Sequence, residues 1–421
     1  MSRLLYSLVL VLALPYLLLH LLWRGWRQRG YWRHWGERFG FYTQRTDKPV
    51  IWLHAVSVGE TRAAVPLVQA LLTRYPDHQL LLTHTTPTGR DTSLQLFGDA
   101  VWRVYLPYDY AFAVRRFVRR FRPALGMLME TEIWPNLIAA CQRENVPVML
   151  VNARLSERSA RRYHWFATLA LQSLTGLSAI AAQTSADAQR LTELGGRNVS
   201  VMGNLKFDTT PPAAQLQLGQ RWRSEIGQQR PVWLAASTRE GEEALVLDAW
   251  QQLQFPAALL IIVPRHPQRF DEVAALLDKR GIRYQRRSSG QPVAATTQVW
   301  LGDSMGELFA YYRAADLALI GGSLLPLGGQ NLIEAAAVGC PVIIGQHVWN
   351  FAEVTRAAIA DGAAVQVVNT DELAQRVQQL LHDPLARQNM HNAALTFSQA
   401  HQGATARLLA LASGYLASKP S

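Results

Sequence analysis

Lysine is nearly absent from this chain. Of 42 basic residues only Lys48, Lys206, Lys279 and Lys419 are lysines. The positive charge is therefore arginine, the side chain suited to bidentate contact with phosphates and carboxylates. Cysteine is scarcer still. Cys141 and Cys340 lie far apart in sequence, which leaves no disulfide framework and no cysteine-based zinc site, and favours a reducing compartment. No two glycines are spaced as G-x-G, so the dinucleotide fingerprint is missing. No lysine follows a glycine, which excludes a Walker A loop. There is no G-x-S-x-G elbow, no H-E-x-x-H, and no D-x-D pair for a metal-bound nucleotide sugar. The 11 histidines are scattered without ligand spacing. Redox, P-loop, hydrolase and zinc chemistries all lose support.

What is present is a chain of 421 residues, 49% hydrophobic. That composition excludes a disordered chain. The length exceeds one ordinary core and fits two domains of about 150–200 residues. Lys+Arg minus Asp+Glu is 42 − 31 = +11. The excess points to an anionic partner: nucleic acid, an anionic membrane or a phosphorylated substrate.

Leu4 to Trp23 is a twenty-residue apolar stretch broken only by Ser7, Pro15 and His20. As a helix it would be about 30 Å long, the thickness of a bilayer's hydrocarbon core. It ends in Trp23-Arg24-Gly25-Trp26-Arg27, bulky and basic, without the small-residue site of a cleaved signal peptide. An uncleaved anchor is expected, the alternative being a monotopic or buried apolar helix. Arg3 precedes the stretch, whereas Arg24, Arg27, Arg29, Arg33 and Arg38 follow it. The positive-inside rule then leaves the bulk of the protein in the cytoplasm, with Trp23, Trp26, Trp32 and Trp35 suited to the headgroup interface.

From Val50 onward short apolar runs recur at 50–54, 80–83, 100–106, 125–129, 147–151, 178–182 and 199–203, with amphipathic segments between them. Thr61–Arg74 reads as one such helix. After Thr209-Thr210-Pro211-Pro212, a hinge, the rhythm restarts at 232–235, 259–263, 299–301, 317–320, 342–344 and 364–367. Continuous apolar strands alternating with helices indicate parallel sheets covered on both faces. Two doubly wound α/β units are expected, facing a cleft at the carboxyl ends of their strands, where ligands bind.

The loops after those strands hold the candidate chemistry. His54-Ala-Val-Ser57-Val-Gly59-Glu60 follows the first strand; Glu60 is either a charge complementing a helix dipole or a general base. Met129-Glu130-Thr131-Glu132-Ile133-Trp134-Pro135-Asn136 puts two carboxylates at a strand end, where burial requires partners. Pro135 fits an early helix position, with Glu132 near the cap. Lys206, in Asn204-Leu205-Lys206-Phe207-Asp208, is either a phosphate- or carboxylate-neutralising cation or half of a surface pair with Asp208. In the second half, Ser237-Thr238-Arg239-Glu240-Gly241-Glu242 opens a helix as an anion site. Pro264-Arg265 suits a nucleotide phosphate. Gly302-Asp303-Ser304-Met305-Gly306-Glu307 opens a helix with Asp303 or Ser304 as cap. Gly321-Gly322-Ser323 and Gly328-Gly329-Gln330-Asn331-Leu332-Ile333-Glu334 allow close backbone approach, and Glu334 would accept two ribose hydroxyls. Each loop alone is compatible with plain turn chemistry; four at successive strand ends favour a nucleotide pocket. The arginine runs Arg115–Arg122 and Arg154–Arg162 are solvated helix faces or, beside an anchor, contacts to anionic lipid.

The segments SVGE (57–60), LPYD (106–109), METEIWPN (129–136), NARLS (152–156), LKFD (205–208), PRHP (264–267), MGEL (305–308), GGS (321–323) and NLIEAAA (331–337) resemble the Kdo (3-deoxy-D-manno-octulosonic acid) transferases of lipopolysaccharide assembly. The resemblance runs over nearly the whole chain, including WGERFGFY (35–42). It implies a GT-B glycosyltransferase: a membrane anchor and basic juxtamembrane segment over 1–40, an acceptor-binding Rossmann-like domain over 41–208, a linker over 209–216, and a CMP-sugar-binding Rossmann-like domain over 217–421. It implies Kdo transfer from CMP-Kdo to lipid IVA at the cytoplasmic face of the inner membrane, among anionic lipids, with inversion. It assigns Glu60 as general base, Glu130 and Lys206 to transition-state stabilisation, and Pro264, Arg265, Met305, Gly306, Glu307, Asn331, Leu332, Ile333 and Glu334 to CMP. Gln330 departs from the family's histidine. No cofactor and no metal are expected. Nor is a nucleic-acid partner, since no aromatic–basic RNA-binding module is present. The rivals are a UDP-sugar enzyme of the same architecture and a non-enzymatic membrane-bound binding protein.

Overall fold

The computed structural model describes residues 2–417, so Lys419 lies outside it. The chain divides into two compact units: the residues through Thr209 with those from Gln402 onward, and Thr210–His401.

In the first unit β1 (Val50–His54), β2 (Gln79–His84), β3 (Trp102–Tyr105), β4 (Leu125–Met129), β5 (Val148–Ala153), β6 (Ala179–Ala182) and β7 (Val199–Val201) form one sheet. Its order is β3-β2-β1-β4-β5-β6-β7, with every pair parallel. In the second, β8 (Val232–Thr238), β9 (Leu259–Pro264), β10 (Tyr284–Arg286), β11 (Val299–Leu301), β12 (Leu317–Ile320), β13 (Val342–Ile344) and β14 (Ala364–Gln366) are ordered β10-β11-β9-β8-β12-β13-β14, again parallel. The expected class, α/β with two Rossmann-like units and an apolar N-terminal helix, is what the structure shows. Each order reverses beside its first strand. The crevice at such a switch point opens after β1 and β4 in one unit, and after β8 and β12 in the other.

The first unit's helices include α1 (Arg3–Arg27), α2 (Val58–Ala63), α3 (Val65–Arg74), α4 (Pro87–Phe97), α5 (Ala111–Phe121), α6 (Pro135–Arg143), α7 (Glu157–Trp165) and α8 (Ala167–Leu174). β1 is buried throughout and apolar up to His54 because both of its faces are covered. Trp52 packs with Phe117 and Leu137 on one face, and Ile51 and Leu53 with Leu67 and Met127 on the other. Trp52 also donates from Nε1 to Thr83 Oγ1 at 2.8 Å, so its one polar atom is satisfied.

Three expectations change. The single helix over 61–74 is two, α2 and α3. Pro66, in the first turn of α3, has no N–H to continue the earlier ladder. The linker ends early, because a helix starts at Ala213. The final helix, Ala404–Ala417, belongs to the first unit rather than to a second domain running to 421. Ala404, Leu408 and Ala412 lie in the core beside Leu67. Asp208 accepts from Gly403 N at 2.7 Å and from Thr405 N, capping that helix.

Candidate active site

In the first unit the switch point carries the carboxylates. Ser57 caps α2 and accepts from Glu60 N at 3.3 Å. Glu60 reaches back, its carboxylate accepting from Val56 N at 2.9 Å and Ser57 Oγ at 3.1 Å. This reciprocal arrangement is a capping box shifted by one residue, and it fixes the carboxylate. The cap reading and the base reading thus describe one geometry. Burial pushes the Glu60 carboxyl up to about 7; Glu130 and Glu132 add to the rise, while the Val56 and Ser57 hydrogen bonds oppose it.

Glu130 follows β4 with φ +55°, a left-handed conformation that is strained for a side chain with a Cβ. Its Oε1 lies 3.7 Å from Lys206 Nζ. Lys206 sits on a short 3₁₀ turn, Leu205–Asp208, whose entry is tied down by buried amides. Asn152 Oδ1 accepts from Leu205 N at 3.0 Å, Asn204 donates to Gln183 Oε1, and Gln183 donates to the Asn152 carbonyl. Lys206 and Asp208 therefore part company: one faces Glu130, the other caps the last helix. Glu132 does not cap α6, whose cap position is Trp134. It accepts from Trp134 Nε1 at 2.7 Å and lies 3.9 Å from Nε2 of buried His54. Burial works to raise Glu132, but His54 and the Trp134 hydrogen bond outweigh it, leaving its carboxyl below the ordinary value. The sequence names Glu60, Glu130 and Lys206. It does not reveal that Asn152 and Gln183 hold the turn carrying Lys206, or that His54 and Trp134 hold Glu132.

In the second unit the anion site expected at 237–242 is already filled. Arg239 N donates to Glu242 at 2.9 Å and Thr238 Oγ1 to Glu243 at 2.9 Å. Both carboxylates are buried; Glu243 is paired with Arg269 at 2.9 Å, and burial raises its carboxyl nonetheless. Glu242 also accepts from Gly322 N and Leu324 N, clamping the loop after β12 onto the end of β8. A Cβ at Gly321 would collide with the Ser237 carbonyl, so this approach requires glycine. The loop folds on itself through Gln330 N to the Gly321 carbonyl at 2.9 Å. Asn331 Nδ2 then donates to Glu334 Oε1 at 3.2 Å and orients it.

Pro264 is buried at the end of β9 and Arg265 is exposed, with Arg265 N held by the Thr238 carbonyl. Leu332 and Ile333 are core residues, so only their backbone is available to a ligand. Met305 and Gly306 are exposed; Glu307 pairs with Arg287 at 3.0 Å. The helix there starts at Leu308 with Glu307 in the cap position, because Asp303 is engaged by Ser288 and Ser304 by Tyr311. Arg265, the 321–324 loop and the 330–334 segment are thus tied around the ends of β8, β9 and β12, whereas Glu307 is turned toward Arg287. Among the described residues no group of three or more His, Cys, Asp or Glu side chains is arranged to hold a metal ion.

Residues 33–209 match the family model of 3-deoxy-D-manno-octulosonic-acid transferase (kdotransferase), and 244–397 that of glycosyl transferases group 1. A 3-deoxy-D-manno-octulosonic acid transferase of Bordetella pertussis is 46% identical over 425 residues, spanning 97% of this chain and 98% of its own. One of Haemophilus influenzae is 38% identical over 423 residues, spanning 99% of each. Among solved structures, a glycosyltransferase from Rickettsia africae superposes with TM-score 0.61 at 13% identity, covering 89% of this chain and 100% of that one. The UDP-GlcNAc 2-epimerase of Neisseria meningitidis gives 0.61 at 16%, covering 86% and 98%. Those two likenesses bear on the fold alone.

Proposed function

The chain belongs to the 3-deoxy-D-manno-octulosonic acid (Kdo) transferase family and is a glycosyltransferase, and from that premise we propose that it moves Kdo from CMP-Kdo to a sugar hydroxyl of lipid IVA, with Glu60 as general base. The observation that carries the proposal is the Glu60 carboxylate, oriented by Ser57 and Val56 and poised near neutrality. A sugar hydroxyl is a poor nucleophile, and a base whose pKa lies near the working pH removes its proton most effectively. In a single displacement the hydroxyl oxygen bonds to the Kdo anomeric carbon as the bond to the CMP phosphate oxygen breaks. The proton passes to Glu60, CMP leaves with the electron pair, and the anomeric configuration inverts.

Lys206, set against Glu130, supplies positive charge where the Kdo carboxylate or the departing phosphate requires it. Arg265 and the backbone of the 321–334 segment hold CMP, with Glu334 on the ribose. Neither a metal nor a cofactor takes part. The basic N-terminal region keeps the enzyme at the cytoplasmic face of the inner membrane, beside its lipid acceptor. In the test, Glu60→Ala retains CMP-Kdo binding and loses turnover; turnover at the wild-type rate would remove Glu60 from the role of base.

A further inference from the structure

α1 is long and apolar enough to cross a bilayer, yet its contacts are those of a helix lying down. Two faces divide it along its length. Leu4, Leu8, Leu12, Tyr16, Leu19 and Trp26 are exposed, and at 3.6 residues per turn they share one side. The opposite side packs on the first unit. Ser7 exchanges hydrogen bonds with the Asn136 side chain at 3.0–3.1 Å, and Tyr110 donates to the Leu10 carbonyl at 2.9 Å. Farther along, Leu21 and Gly25 are buried.

Ser7 precedes Arg24 by 17 positions, about 26 Å of helical rise and close to the hydrocarbon thickness. Were α1 to cross the membrane, the residues gripping its far end would be carried through with it. Asp109, which accepts from the Asn136 and Leu137 backbone at the start of α6, would then sit in lipid with the polar end of that helix. Charged and polar groups of a folded domain do not take that position.

We propose that α1 lies in the plane of one leaflet, packed along the first unit. Its outer apolar face is covered by acyl chains of an anionic phospholipid surface. This rests on the membrane location proposed above but not on the transfer reaction. Charge identifies the occupant. Residues 1–50 hold eight basic and two acidic side chains, 8 − 2 = +6. Arg3 stands at one end of the apolar face, and Arg24 and Arg27 at the other. Arg27 lies over the Trp23 ring at 4.5 Å, the pairing of cation and interfacial aromatic expected at the headgroup level. A second copy of the chain would bring these arginines together without counter-charge.

The test is a depth profile on the full chain in vesicles of phosphatidylethanolamine and phosphatidylglycerol. The native cysteines are buried, so Leu4→Cys, Leu12→Cys and Leu19→Cys each carry a single fluorophore, quenched by nitroxides placed at shallow or deep positions on the lipid. An in-plane helix gives the same ratio of shallow to deep quenching at all three sites. A gradient, with Leu12→Cys deepest, means that the helix crosses, and overturns the proposal. Absence of quenching at all three sites means that another protein surface covers the face, and overturns it equally. Sidedness gives a second reading. Ser2→Cys reacts with an impermeant maleimide in inverted inner-membrane vesicles, as does exposed Asp77→Cys. Reaction of Ser2→Cys in intact spheroplasts, or loss of residue 2 from the mature chain, contradicts the proposal. Every outcome is read without an activity assay, so failure here leaves the transferase reading standing.

Discussion

Glu60 is held between opposing influences. Burial and two neighbouring carboxylates favour its protonated form, and two hydrogen bonds favour the ionised one. The net position near 7 dictates the pH profile: a base must be ionised, so kcat/KM rises with pH through about 7 and levels above it. Glu60→Gln removes that limb and lowers kcat by about 10²- to 10⁴-fold. Stability runs the other way. A carboxyl whose folded pKa lies above its ordinary 4.5 binds its proton more tightly when folded, so folded stability falls as pH rises from 4.5 to about 7. Melting curves of wild type and Glu60→Gln therefore diverge over that window, with the wild type losing more. Glu130 offers a second handle, its φ of +55°. Glu130→Gly accepts that backbone and Glu130→Ala does not, so denaturant titration should place the glycine variant about 1 kcal/mol above the alanine one. Both variants lose turnover, because both lose the carboxylate beside Lys206.

At the scale of elements, the last helix is the sharpest point of difference from expectation. Leu408 is fully buried against the first sheet, so Leu408→Ala destabilises that unit by about 2–5 kcal/mol. The melting transition of the second unit, and its response to CMP, stay in place. A helix coming after the second sheet reads in sequence as part of it, and its return is tied by distant partners such as Asp208, 195 positions before Gly403. The strands were legible because burial on both sides forces continuous apolar runs: Val50–His54 and Leu125–Met129 are strands to the residue. The switch-point loops were legible for the same reason, as polar residues interrupting such runs. What holds the site was not. His54 looks like a strand residue, Asn152 and Gln183 like loop polarity, and their use depends on neighbours 29 to 53 positions away. Glu242 and Glu243 misled in a different manner: the helix start that attracts a ligand anion attracts the protein's own carboxylates first.

At the scale of the molecule, the +11 charge resolves into +6 within residues 1–50 (8 − 2) and +5 over the rest (34 − 29). On the proposed reading the membrane takes the first share, and the transfer chemistry rests on a few carboxylates, Lys206 and Arg265. On the same reading, donor choice belongs to the second unit as a whole. CMP at 100-fold over its Kd should raise the stability of the folded protein by about 2.7 kcal/mol, read as a rise in Tm, while UDP at that concentration leaves it unmoved. Protection by UDP without protection by CMP would point to a UDP-sugar enzyme. The most direct measurement is the product mass after incubation of wild type and Glu60→Gln with CMP-Kdo and lipid IVA. Wild type should shift lipid IVA upward by whole Kdo increments, and Glu60→Gln should leave it unshifted over the same time. An unshifted lipid IVA with wild type, or equal shifts with both, would contradict Kdo transfer with Glu60 as its base.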